Sequence, residues 1–200
     1  MLDMRFAMRQ IDLNIKEQIE NKKMIAFTST DNTLGQSTLI ANLGMLYARQ
    51  NKNVLIVDTD SSRDSFPEAF NFTQDQGLYN YFEENDRDIS QFITNIDSLK
   101  KLSILSAGTV DGSVANEILS KVDFSGLLGE LADLYDYIFI NVQENIGLDS
   151  VMHILKLADG IILTSEENLT RKKKINQLIR QLIMNDLKVM GYINVKRVNS

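Results

Sequence analysis

A chain of 200 residues is long enough for one domain with a sizeable core, and its 44% hydrophobic and 24% charged residues are ordinary for a globular protein. No cysteine and a single histidine exclude a disulfide framework, a thiol redox centre and a His-rich zinc site. The net charge of −6 argues against nucleic acid or an anionic membrane as partner of the chain as a whole, a local basic patch aside.

Taken in order, Met1–Glu20 spaces Phe6, Ile11, Ile15 and Ile19 roughly as a helix does. Met24–Ser29 is a short apolar run that leads into a polar loop, Thr30–Gly35. Ser37–Gln50 reads as a helix with Leu39, Leu43 and Leu46 on one face. Val54–Val57 is a second buried strand, closed by Asp58 and Asp60. Gly77–Glu84 and Asp88–Ile93 look like short helical pieces, and Leu102–Leu105 like a third strand. Val114–Leu134 suggests two helices broken near Asp123–Gly126. Strands follow at Tyr137–Val142, Gly160–Thr164 and Val189–Val195, with helices at Leu148–Leu157 and Leu169–Met184 between them.

Short apolar strands joined by helices predict an α/β fold, a three-layer α/β/α arrangement around a mostly parallel sheet. One domain over 1–200 is expected, since no repeat, low-complexity tract or linker interrupts it and Pro67 is the sole proline. Apolar runs such as Tyr137–Ile140 and Ile161–Leu163 are strand-sized, and charges break up any leader pattern in Met1–Gln10. The expected compartment is therefore the cytoplasm.

Ligands of parallel sheets bind beyond the carboxyl ends of the strands, so the segments that follow them matter most. After the first strand comes Thr28-Ser-Thr-Asp-Asn-Thr-Leu-Gly-Gln-Ser-Thr38. A P-loop reads G-x-x-x-x-G-K-[ST] between strand and helix, where its N–H groups cradle phosphate, Lys neutralises it and the hydroxyl holds magnesium. Gly35, Ser37 and Thr38 fit, whereas Thr30 replaces the first glycine and Gln36 the lysine. A polar turn capping a helix explains the same residues at least as well. The second strand ends in Asp58-Thr-Asp60, a carboxylate pair that could hold magnesium and accept a proton. Its plain alternative is a turn closed by Asp58. The strand Tyr135-Asp-Tyr-Ile-Phe-Ile-Asn-Val142 puts Asn141 where a Walker-B Asp would stand. Asp149 reads as a helix cap, His153 as an ordinary helix residue, and Tyr79, Tyr81, Tyr135 and Tyr137 as packing residues.

The ordered series Thr28-Ser29, Gly35-x-Ser37-Thr38, Asp58-x-Asp60, Gly77-Leu78, Ala107-Gly108, Tyr135-Asp136-Tyr137, Asp149, Ala158-Asp159-Gly160 and Gly191 resembles the bacterial tyrosine kinases of capsule and exopolysaccharide export, a branch of the deviant P-loop ATPases. The resemblance implies ATP or ADP with Mg2+ as cofactors. Gly35, Gln36, Ser37, Thr38 and Asn141 would stand at the nucleotide, Ser37 and Asp58 at the metal, and Asp58 and Asp60 in the catalytic positions. It implies a transmembrane adaptor that regulates polymer length, holding the protein at the inner face of the membrane. It also implies self-association through an N-terminal helix over 1–20, where Arg5-x-x-x-Arg9 resembles the family's ring-forming segment. Partition-type ATPases carry a signature lysine early in the loop, where this chain has Asp31.

Four departures weaken the expected chemistry. Gln36 replaces the phosphate-binding Lys, Asn141 the Walker-B Asp and Thr33 a loop glycine, while Val198-Asn-Ser200 brings no tyrosine cluster. A charged hydrogen bond to phosphate contributes roughly 1.5–3 kcal/mol, so losing the lysine weakens nucleotide about ten- to hundredfold. Phosphoryl transfer depends on positioning and charge, so little or no kinase activity is expected. The basic run Arg171-Lys-Lys-Lys174 opens a helix where positive charge is unfavourable, which suggests an anion nearby: nucleotide phosphate, a lipid or a protein carboxylate. A solvated face is the simpler reading of that run.

Overall fold

The computed structural model describes residues 4–18, 24–29, 34–63, 65–73, 75–84, 88–142, 147–166 and 172–195. Helix α1 (Met4–Gln18) leads into β1 (Met24–Ser29), α2 (Leu34–Arg49), β2 (Val54–Asp58), α3 (Ser65–Phe70) and α4 (Leu78–Glu83). Next come β3 (Thr94–Asn95), β4 (Leu102–Leu105), α5 (Gly112–Lys121), α6 (Ser125–Leu134), β5 (Tyr137–Asn141) and α7 (Leu148–Leu157). The chain then forms β6 (Gly160–Glu166), α8 (Lys172–Met184) and β7 (Val189–Val195), and single 3-10 turns at Ile89–Phe92 and Asp97–Leu99 flank β3. The strands form one sheet in the order β3-β4-β2-β5-β1-β6-β7, parallel except at β3.

Alternation along the central strands sorts the core into two layers, as period-two geometry requires. Ile25, Phe27, Val54, Ile56 and Phe139 point toward α2, with Leu39, Ile40, Leu43 and Tyr47 packed on them. Ala26, Leu55, Val57, Ile138, Ile140 and Leu163 point the other way, toward buried residues of α5, α6, α7 and α8. Helices thus cover both faces and confine the carboxyl ends of β1, β2, β5 and β6 to one edge. Helix α1 lies on the α2 layer through Ile15, where Lys16 donates to Asp12 Oδ2 at 2.9 Å and to Gln50 Oε1 at 3.0 Å.

Several expected boundaries move for physical reasons. Helix α2 begins at Leu34, so Gly35 and Gln36 sit in its first turn and not in the preceding loop. Strand β6 runs on to Glu166 because β7 pairs beside it as far as Val195, burying polar Ser165 and Glu166. The break between α5 and α6 falls where expected, at Asp123, whose carboxylate accepts from the Ser125 N–H and hydroxyl. Helix α7 is capped by Gly147, and Asp149 lies in its first turn, so Asp149 is not the cap its position suggested. Helix α3 and the two-residue β3 were not anticipated. Thr30, Asp31, Thr33, Arg171 and the tail 196–200 lie outside the described residues, as does the side chain of Arg5.

Candidate functional site

Parallel pairing places the relevant strand ends side by side. Asn141 on β5 stands opposite Phe27 on β1 and opposite Asp58 on β2, while Ser29 on β1 stands opposite Thr164 on β6. Gln36 reaches over these ends from the first turn of α2.

The Gln36 side chain is enclosed, with the residue 2% exposed. Its Nε2 donates to Asn141 Oδ1 at 2.8 Å and approaches the Phe27 and Val142 carbonyls at 3.2 Å each. Its Oε1 accepts from the Thr164 hydroxyl at 2.6 Å. Asn141 Nδ2 then donates to Asp58 Oδ1 at 2.7 Å, and the Asp60 N–H donates to the same oxygen at 3.0 Å. The two main-chain carbonyls can only accept, so they fix which end of the Gln36 amide is nitrogen. That choice fixes the Asn141 amide, which in turn presents its donors to Asp58 as an acceptor. The result is a single directed chain, Gln36 to Asn141 to Asp58, anchored by Thr164 and spanning β6, β1, β5 and β2.

Thr59 closes the same edge. Its N–H and hydroxyl both donate to the Asn141 carbonyl, at 3.0 and 2.9 Å. The buried Tyr79 hydroxyl donates to the Thr59 carbonyl at 2.6 Å. Burial, with the Asp58 and Asp60 carboxylates nearby, pushes the Tyr79 phenol far above its ordinary value, so it stays a donor.

The other candidates divide. Ser37 is half-buried and Thr38 exposed in the first turn of α2, where hydroxyls and helix N–H groups can face an anion. Asp60 is half-buried and accepts from the Ser62 N–H and hydroxyl, at 3.0 and 2.5 Å, which makes it the acceptor of a local turn. Gly35 has a packing reason of its own: a Cβ there would lie 2.6 Å from Val195 Cγ1 at the end of β7. Among the described residues, no group of three or more His, Asp or Glu side chains is placed to hold a metal ion. The residues present therefore fit a loosely held phosphate at the start of α2, with Ser37 and Thr38 as side-chain donors. Gln36, at the position compared with the P-loop lysine, turns its side chain inward.

Sequence reading singled out Gln36, Asn141 and Asp58 separately and did not foresee their bonding. It missed Thr164, Thr59 and the Tyr79 hydroxyl. The only signal for Thr164 was its place at a strand end, which needs the strand order to become informative.

A family model described as an AAA domain matches residues 22–190. The tyrosine-protein kinase YwqD of Bacillus subtilis (strain 168) is 25% identical over 187 residues, covering 92% of this chain and 78% of that protein. The succinoglycan biosynthesis transport protein ExoP of Rhizobium meliloti (strain 1021) is 23% identical over 173 residues, 86% of this chain but 22% of ExoP. Among solved structures, the VpsO kinase domain superposes with a TM-score of 0.81 at 23% identity, covering 96% of this chain and 94% of that one. The septum site-determining protein MinD of Pyrococcus horikoshii, complexed with Mg-ADP, gives 0.70 at 19% identity, covering 86% and 69%. The chain belongs to the AAA domain family of P-loop proteins and is related to the bacterial tyrosine-protein kinases of polysaccharide synthesis.

Proposed function

We propose that this protein is a non-catalytic member of the tyrosine kinase branch that regulates polysaccharide assembly by association, through a membrane adaptor. The observation that carries the reading is the inward Gln36 amide, which is bonded on both its nitrogen and its oxygen to the sheet edge. To reach a phosphate it would have to give up its bonds to Asn141 Oδ1 and the Thr164 hydroxyl, and a buried polar group left unpaired costs roughly 1–3 kcal/mol. Phosphoryl transfer draws its rate from charge held at the transferring group, and Gln36 brings none.

Nucleotide binding in a weaker form is compatible with the site. Ser37, Thr38 and the first N–H groups of α2 would hold the phosphates of ATP or ADP, with Ser37 and Asp58 toward Mg2+. When bound, the metal would neutralise phosphate charge. Asp58 is already oriented by Asn141 and Asp60, so its carboxylate is fixed before any ligand arrives. The Mg-ADP complex of MinD supports this part of the reading. Kinship with ExoP, a transport protein of which this domain matches about a fifth, supports work beside a membrane partner. Helix α1, with Arg9 exposed, would supply the surface for self-association.

The test is transfer of the γ-phosphoryl from labelled ATP, with magnesium, to the protein itself and to a tyrosine-rich polymer. The expected result is transfer no faster than a heat-denatured control. Turnover near the ~1–100 s−1 of working kinases would overturn the proposal.

A further inference from the structure

Helix α8 concentrates positive charge in a chain whose net charge is −6. Lys172, Lys173, Lys174 and Arg180 are all exposed, and no Asp or Glu occurs between Lys172 and Asn185. Its inner face, with Ile175, Leu178, Ile179 and Leu182, packs into the core layer shared with α7. At 100° per residue, Lys173, Gln177, Arg180 and Met184 fall in one stripe on the opposite side, roughly 16 Å long.

Two features of that outward face are unfavourable if water is its only neighbour. Adjacent lysines occupy the first turn, where the helix dipole already presents positive charge. At the other end Met184 is 83% exposed and Ile183 58%. An apolar tip beside a cationic stripe suits a surface that offers phosphates and an oily boundary together.

We propose that the outward face of α8 docks directly on an anionic lipid bilayer, independently of any protein adaptor. Lys173 and Arg180 meet lipid phosphates and Met184 enters the boundary between headgroups and acyl chains, with Lys172 and Ile183 on the flank of the same face. Charge complementarity fixes the orientation. Outside α8 the chain carries more acidic than basic residues, which favours approach by this face. Long flexible cations and an unbranched Met match a fluid array of equivalent phosphates without needing a shaped groove. No helix among the described residues is long and apolar enough to cross a membrane, so the attachment is peripheral and salt-sensitive. The inference does not depend on whether the site at α2 transfers phosphate.

The test is co-sedimentation of the full chain with vesicles of phosphatidylcholine alone and of phosphatidylcholine mixed with phosphatidylglycerol, at low salt and at about 0.15 M. Binding to the phosphatidylglycerol vesicles only, weakened by salt, is expected. The combined Lys172→Glu, Lys173→Glu and Arg180→Glu variant should lower the partition coefficient at least about tenfold, and Met184→Asp should lower it several-fold. These positions are exposed, so an unchanged melting curve will show that the fold survives. The milder Lys172→Gln, Lys173→Gln, Arg180→Gln variant provides a second reading if charge reversal perturbs it. Equal affinity for both vesicle types, or reversal without effect, would overturn the proposal. So would capture by immobilised polyglutamate without affinity for phosphatidylglycerol vesicles, which would point to an acidic protein instead.

Discussion

Gln36 Nε2 and Asn141 Oδ1 lie 2.8 Å apart, and Asn141 passes the contact on to Asp58 at 2.7 Å. These are the two positions at which the sequence departs from the charged residues of a P-loop enzyme. Both are uncharged amides, and they satisfy each other. A pair of amides is buried without the desolvation that two charged groups at the same places would cost. The two departures from the motif are therefore one structural feature.

Asn141→Asp tests that coupling. It would set a second carboxylate against buried Asp58, and two such groups in contact share a proton. The pair's upper folded pKa would be raised above the unfolded value, so the folded state holds the extra proton. Stability would then be retained at acid pH and lost as pH rises through that folded pKa, the direction linkage requires. Chemical denaturation at several pH values should show the variant close to the parent near pH 4 and destabilised by about 3 kcal/mol near pH 7. A constant difference across that range would speak against a shared proton.

Gly35→Ala should destabilise by about 1–3 kcal/mol, because its Cβ would fall 2.6 Å from Val195 Cγ1. Val195→Gly in the same chain, which also removes the Val195 Cβ 2.8 Å from that position, should recover much of the loss. Urea melts of the two single variants and the double variant measure the coupling. Additive effects would show that Gly35 is required for some other reason.

Tyr79→Phe removes the hydroxyl that donates to the Thr59 carbonyl at 2.6 Å. A loss of roughly 0.5–1.5 kcal/mol is expected in denaturant titrations, with the ring packing kept. An unchanged midpoint would mean that the bond adds nothing net.

His153 supplies a pH-dependent term of opposite sign. Burial holds its imidazole below the ordinary 6.5, against a weaker upward pull from Asp123, and its Nε2 meets no hydrogen-bond partner among the described residues. A depressed folded value means the unfolded chain takes up the proton first. This contribution to stability is present above pH 6.5 and declines as pH falls below it, toward the folded value. His153→Phe keeps an aromatic ring against Phe124, 5.7 Å away in the parent, and should flatten the melting temperature between pH 7 and pH 5. An identical slope in both proteins would assign the effect elsewhere.

Much of the fold was legible because buried parallel strands announce themselves as uninterrupted apolar runs. Met24–Ser29 and Leu102–Leu105 were bounded to the residue, as were the half-exposed edge strand Val189–Val195 and the helix Leu148–Leu157. Thr94–Asn95 was not, since two half-exposed residues carry no period and pair only because β4 lies beside them. The site was legible as positions but not as interactions. Gln36 could be flagged by what it replaces. That it turns inward depends on the carbonyls of Phe27 and Val142 and on Thr164, which strand order alone brings together. Tyr79 was rightly read as a packing residue, yet its hydroxyl bond to Thr59 belongs to tertiary structure.

The most direct test of the central claim is Gln36→Ala, followed by unfolding free energy and by calorimetric titration with Mg-ATP. If Gln36 ties the sheet edge together, the variant should lose about 1–3 kcal/mol of stability, and its nucleotide affinity should stay within about twofold of the parent's. Unchanged stability with nucleotide affinity about tenfold weaker would show that the amide serves the phosphates, and would contradict the account.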